Sequence, residues 1–173
     1  MYEEYYNQIT APWRAMSNGS AVLTAIDNGL RVIVASLYCI LLIWLAYTGS
    51  PLLLRAVLVP LITFVVVSLW RSGINWQRPY ERFDIDPLIK KDTQGKSMPS
   101  RHMASATVIA CTLLWVASKE NQPFLWAAAV LAVICCVLIA YVRVVGGVHL
   151  RRDIIVATIT AIAFALTGYL AIP

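Results

Sequence analysis

Residues 124–142 read FLWAAAVLAVICCVLIAYV, nineteen residues without a single charge. A helix of that length rises about 28 Å, close to the roughly 30 Å hydrocarbon core of a bilayer. Four further runs share the pattern: Leu30–Tyr47, Leu52–Trp70, Ser100–Ser118 and Asp153–Ala171. The turn signal Thr48-Gly49-Ser50-Pro51 separates the first two. Pro60 falls inside the second, which a packed membrane helix tolerates, and Arg55 near its start can snorkel to the interface. Trp44, Trp70, Trp115 and Trp126 fall near expected span ends, as in an interfacial aromatic belt. Residues 1–28 mix Tyr, Trp, Ile and Met with Glu, Asn and Arg, which suits one or two helices lying on the membrane surface or against the bundle, or else a disordered tail. The expected fold is therefore all-α: one polytopic membrane helix bundle of residues 1–173, with five transmembrane helices and an N-terminal interfacial segment.

The whole composition agrees. Apolar residues make up 60% of the 173-residue chain, against about 45–50% for a soluble domain. Mean hydropathy is +0.70. The formal charge of +5 gathers between the apolar runs, which suits anionic lipid headgroups or a phosphate substrate. No basic face of a soluble fold is on offer, so nucleic acid is excluded as a partner. Cys39, Cys111, Cys135 and Cys136 all lie in apolar runs without CxxC spacing and read as small hydrophobes. The N-terminal stretch lacks a basic region followed by an apolar one, so the first span is expected to direct insertion.

Two connections differ from the others. Segment 71–99 carries Arg71, Arg78, Arg82, Lys90, Lys91 and Lys96, and segment 143–152 carries Arg143, His149, Arg151 and Arg152. Two expected spans lie between them, so both reach the same membrane face. The chain's two histidines, His102 and His149, fall at boundaries on that face. In RVVGGVHLRRD (Arg143–Asp153), His149 and Asp153 are spaced i,i+4. If the last helix starts near His149, the two share a face, and the carboxylate can fix the imidazole's tautomer. The same string also reads as a Gly turn followed by a helix with a capping Asp. In PSRHMASA (Pro99–Ala106), Ser100 is a good N-cap, and the amides of Arg101 and His102 would point out of a helix N-terminus toward an anion. In RSGINWQRP (Arg71–Pro79), Arg71 and Arg78 can fork phosphate oxygens or serve as a basic interfacial anchor.

Taken together, the strings R-x6-R-P at Arg71–Pro79, P-S-R-H at Pro99–His102 and V-R-x5-H-x3-D at Val142–Asp153 resemble the K-x6-R-P, P-S-G-H and S-R-x5-H-x3-D motifs of the type-2 phosphatidic acid phosphatases. Those enzymes share their site with vanadium haloperoxidases. Arg71 stands at the lysine, Arg101 at the glycine and Val142 at the serine of the family pattern. The family usually has six membrane helices, and residues 1–28 would stand in for the first. The resemblance implies that His149 attacks phosphorus and forms a phosphohistidine, Asp153 orients it, and His102 protonates the leaving oxygen. It implies too that Arg71, Arg78, Ser100, Arg101 and Arg143 hold the phosphate.

Arginines and a helix N-terminus supply the positive charge, so no metal or other cofactor is expected. Asp84 and Asp86 form the only close acidic pair in the polar loop, with nothing beside them to complete a magnesium site. The expected substrate is a lipid phosphate or diphosphate whose chain stays among membrane lipids, such as phosphatidic acid, phosphatidylglycerophosphate or a polyprenyl diphosphate. Loop 80–98 would act as a lid or headgroup selector. A lipid phosphotransferase using the same phosphohistidine is the alternative. A transporter or channel would carry charge in mid-span, and these spans carry almost none. Oligomeric state is not legible. Placement is conflicted: the basic loops point to the cytoplasm by the positive-inside rule, whereas relatives place the site on the extracytoplasmic face, here of a bacterial plasma membrane.

Overall fold

The computed structural model describes residues 2–171, which are helical throughout their length apart from turns and loops, with no strand among the described residues. The helices are α1 (Tyr2–Arg14), α2 (Gly19–Tyr47), α3 (Leu53–Ile74), α4 (Pro79–Arg82), α5 (Arg101–Glu120), α6 (Pro123–Val145) and α7 (Arg151–Leu166). A π-helical turn, Thr167–Ala171, continues α7.

Four segments are long and apolar enough to cross a membrane: Gly19–Tyr47, Leu53–Arg82, Pro123–Val145 and Arg151–Leu170. The fifth expected span, now α5, is not among them. It is 20 residues long but carries Arg101 and His102 at its head, Lys119 and Glu120 at its foot, and Ala, Ser and Thr along its length. Its position explains the composition. Helix α5 packs against α2, α3, α6 and α7. Met103, Ala104, Ala106, Val108, Ala110, Leu113, Val116 and Ala117 are all buried. A helix enclosed by other helices needs small side chains for close approach rather than bulk to face lipid. The outer helices supply that bulk: Ile40, Ile43, Leu54, Leu61, Val130, Ile134, Val137, Ile155 and Ile159 face outward. Trp115 also departs from expectation. It is buried and stacked on Tyr169 at 4.3 Å between ring centroids, so it belongs to the core and not to the aromatic belt.

The N-terminal segment divides differently from the sequence reading. Residues 19–28 do not lie on the membrane surface. They form the first turns of α2, whose 29 residues span about 44 Å. Helix α1 alone is separate, and it is bound to the bundle. Tyr6 is fully buried. Its hydroxyl donates to the Val145 carbonyl at 3.2 Å and accepts from the Leu88 amide at 3.2 Å. Arg14 pairs with Asp86 at 3.3 Å. Helix α1 thus ties loop 83–91 to the end of α6.

Two boundaries matter for the site. Helix α3 runs on to Ile74 and stops at Asn75, a left-handed residue (φ 46°) whose amide donates to the Arg71 carbonyl at 3.1 Å. Arg71 is therefore in the last turn of a helix, as is Arg143 in α6, and neither lies in a connecting loop. Helix α7 starts at Arg151, two residues after His149.

Candidate active site

The polar ends of α3, α5, α6 and α7 meet on one face of the bundle, and the chain brings them together through Asp153. Its Oδ2 accepts from Ser97 Oγ at 2.5 Å and from the Leu150 amide at 3.1 Å. Its carbonyl accepts from the Ser100 amide at 3.2 Å. The heads of α5 and α7 are thereby fastened to each other. Asp153 does cap α7, as the plainer reading of its string held, and its Oδ2 also lies 3.6 Å from His149 Nδ1. That separation is an ion-pair contact, longer than a hydrogen bond. It turns the ring's other nitrogen, Nε2, away from the carboxylate.

A cavity of about 300 Å³ opens beside this junction. Both histidines line it, together with Arg71, Arg78, Arg101 and Arg143. Lys91, Asp92 and Thr93 complete the wall. Of the phosphate-binding residues expected from the motifs, Ser100 is the one that does not line it. Ser100 occupies the N-cap position of α5 but makes no side-chain capping bond, contrary to expectation, and its Oγ is buried without a hydrogen-bond partner among the described residues.

The arginines are held from behind. Arg78 Nε donates to the Gly95 carbonyl at 3.1 Å, while its buried Nη1 has no partner among the described residues. Arg71 Nη2 donates to the Lys96 carbonyl. Glu81 closes the loop that supplies those carbonyls, since its Oε2 accepts from the Arg78 amide and from the Gly95 amide, each at 2.8 Å. Arg101, at the glycine of the resembled motif, is exposed and lines the cavity, and its guanidinium lies 5.5 Å over the Phe64 ring. Arg143 is completely buried, with Nε 3.2 Å from Asp27 Oδ1.

Enclosure among cations sets the protonation of the polar loops. Burial first, then Arg143 and Arg78, push the His149 imidazole down to about 4 against the pull of Asp153, so it is neutral near pH 7. Burial first, then the same two arginines, lower the Lys91 ammonium to about 8. Among the described residues no three His, Cys, Asp or Glu side chains cluster as a metal site would require.

Sequence reasoning passed over Lys91, Ser97 and Asp27. Lys91 is one of several loop lysines with no spacing rule to single it out. Ser97 bonds to a residue 56 positions away. Asp27 did carry a signal, because it is the one carboxylate in the apolar run 19–47, but the span was expected to begin only at Leu30.

Comparison with solved structures finds the crystal structure of Aquifex aeolicus LpxE, which superposes with a TM-score of 0.70 at 20% identity and covers 95% of this chain and 92% of that one. At that identity the likeness speaks for the fold alone. Comparison with curated protein sequences returns no significant match. The family model of the PAP2 superfamily matches residues 52–173, which include all three motif strings and every cavity-lining residue described above. With well over half of its length matched, the chain belongs to the PAP2 superfamily and is a membrane phosphatase.

Proposed function

We propose that the protein hydrolyses a lipid phosphate through a phosphohistidine on His149, with inorganic phosphate and the dephosphorylated lipid as products. One observation carries this reading: both histidines line a single cavity walled by four arginines at the polar end of a membrane bundle. His149, neutral and backed by Asp153, attacks phosphorus with Nε2. The bond between phosphorus and the lipid oxygen breaks as His102 gives that oxygen a proton. Asp153 stabilises the charge that develops on the His149 ring. Water then attacks the phosphorus, His102 takes the water proton, and the phosphorus–nitrogen bond breaks.

The proton on His102 arrives with the substrate. Burial first, then Arg143 and the other nearby cations, hold the His102 imidazole well below its ordinary range, and phosphate oxygens among those cations offset their repulsion. Phosphoryl transfer needs positioning and charge neutralisation above all, and the guanidinium groups of Arg71, Arg78 and Arg143 supply both. Arg101 is exposed and Lys91 half-buried among the lining residues, so both would meet the headgroup. The buried Ser100 hydroxyl adds a donor behind the wall.

The test is phosphate release from detergent-dispersed phosphatidic acid. His149→Ala is expected to remain folded and lose at least about 1,000-fold in kcat. Wild-type activity is expected to survive EDTA and to be blocked by orthovanadate. A folded His149→Ala chain with a tenth of wild-type turnover would refute the reading.

A further inference from the structure

Asp27 lies on α2, outside the family-matched residues 52–173, and it contacts one of the cavity-lining arginines, Arg143.

 In position, Asp27 sits in the third turn of α2, twenty-five residues ahead of Leu52, where the family match starts. It is 1% exposed, and a carboxylate enclosed in an apolar membrane helix is costly unless something charged holds it. Two arginines do. Oδ1 lies 3.2 Å from Arg143 Nε, and Oδ2 lies 3.3 Å from Arg31 Nη2, one turn further along α2. Arg31 is partly exposed and pairs as well with Asn28, whereas Arg143 is fully buried. All three guanidinium nitrogens of Arg143 are buried without a hydrogen bond among the described residues, so Asp27 holds Nε by charge across 3.2 Å while Nη1 and Nη2 have no partner, and Arg143 lines the phosphate cavity.

A guanidinium held by its Nε presents its two Nη groups on the opposite side as a fork. We propose that Asp27 is a positioning residue of the active site, which fixes Arg143 by its Nε so that Nη1 and Nη2 face the phosphate. The inference rests on the proposed reading of Arg143 as a phosphate-binding residue. It assigns α2, which carries none of the family motifs, a part in the site. Arg31 holds the far oxygen of Asp27 and keeps the carboxylate from turning away from Arg143.

The experiment measures orthovanadate affinity by calorimetry, which needs no turnover, alongside KM and kcat on phosphatidic acid, all on full-length protein in detergent. Asp27→Asn is expected to weaken vanadate binding and raise KM by about tenfold each, with a smaller fall in kcat, and Asp27→Glu to recover most of the loss. Unchanged vanadate affinity and KM in a folded Asp27→Asn chain would overturn the proposal. Loss of the carboxylate strands a buried guanidinium and can prevent folding, so Asp27→Asn/Arg143→Gln is measured beside Arg143→Gln. If Asp27 acts through Arg143, the double variant binds vanadate as the single one does. A further several-fold loss in the double variant would refute that route. Failure of the underlying reading would look different: a folded His149→Ala chain would keep its turnover, whatever the Asp27 variants did to vanadate affinity.

Discussion

His149 feels two opposed influences, burial among arginines and a carboxylate 3.6 Å from Nδ1, and burial prevails. A group held down to about 4 loses its proton well below neutrality, so the nucleophile stays available as pH falls from 7 toward 5. The acid limb of kcat/KM that belongs to His149 is expected near pH 4; a limb from His149 near its ordinary 6.5 would contradict the enclosure described here. The same shift acts on stability. Between about 4 and 6.5 the unfolded chain binds a proton at this residue that the folded chain does not, so His149 makes stability rise with pH across that window. On the alkaline side, Lys91 gives up its charge as pH rises through about 8. KM is expected to climb there in the wild type. In Lys91→Met it should be higher by about threefold to tenfold at pH 7, worth about 1 kcal/mol, and flat through pH 9. A parallel alkaline rise in both proteins would remove Lys91 from the site. At this scale the motif residues were legible because their spacing survives in one dimension. Lys91 and Asp27 were not, because what makes them matter is proximity to Arg143, across a loop in one case and across two helices in the other.

Among the elements, α1, loop 83–91 and the end of α6 meet at the Tyr6 hydroxyl. Tyr6→Phe removes the partner of both the Leu88 amide and the Val145 carbonyl. Leaving such groups buried and unpaired costs about 1–3 kcal/mol. The expected result is a lower melting temperature in detergent and a raised KM with kcat nearly unchanged, since loop 83–91 loosens while the histidines stay. Equal melting temperatures would show that α1 does not brace the loop. Gly147 gives a sharper case. Its φ of +73° suits glycine, and a Cβ there would lie 2.7 Å from the Tyr6 hydroxyl. Gly147→Ala is expected to displace the turn that carries His149 and to cost activity as well as stability; a fully active alanine variant would refute this. The spans themselves could be read from runs of uncharged residues, but three features could not. Helix α5 hides its place at the centre behind a middling hydropathy, because small residues serve packing. Helix α2 starts early because Asp27 and Arg31 neutralise each other's burden inside the fold. Helix α1 could be read as lying on the membrane surface or against the bundle, and only its buried tyrosine, bonded across 139 residues, decides for the bundle.

For the whole molecule, the connections alternate between two ends. The α2–α3 turn around Thr48 and the α5–α6 turn around Asn121 lie at the end remote from the cavity, and Thr93 lies at the cavity end. With the native cysteines replaced, single cysteines at the exposed positions Thr48 and Thr93 are expected to react with a membrane-impermeant maleimide from opposite sides of sealed vesicles. Reaction of both from one side would break the arrangement. The parity of the spans, counted from the sequence, was enough to bring the two histidine segments to one face. The depth of the cavity and the fastening of α5 to α7 were not, because they depend on backbone amides and a serine whose partners lie far along the chain.

Glu81 grips the amides of Arg78 and Gly95 with the same oxygen, and so makes a closed ring of the residues between them. The far side of that ring is anchored as well, since Leu88 and Ile89 are buried and the Ile89 amide donates to the Gly146 carbonyl at 3.0 Å. Loop and nucleophile-bearing turn therefore share one anchorage, and the cavity wall keeps its shape because neither half can shift alone.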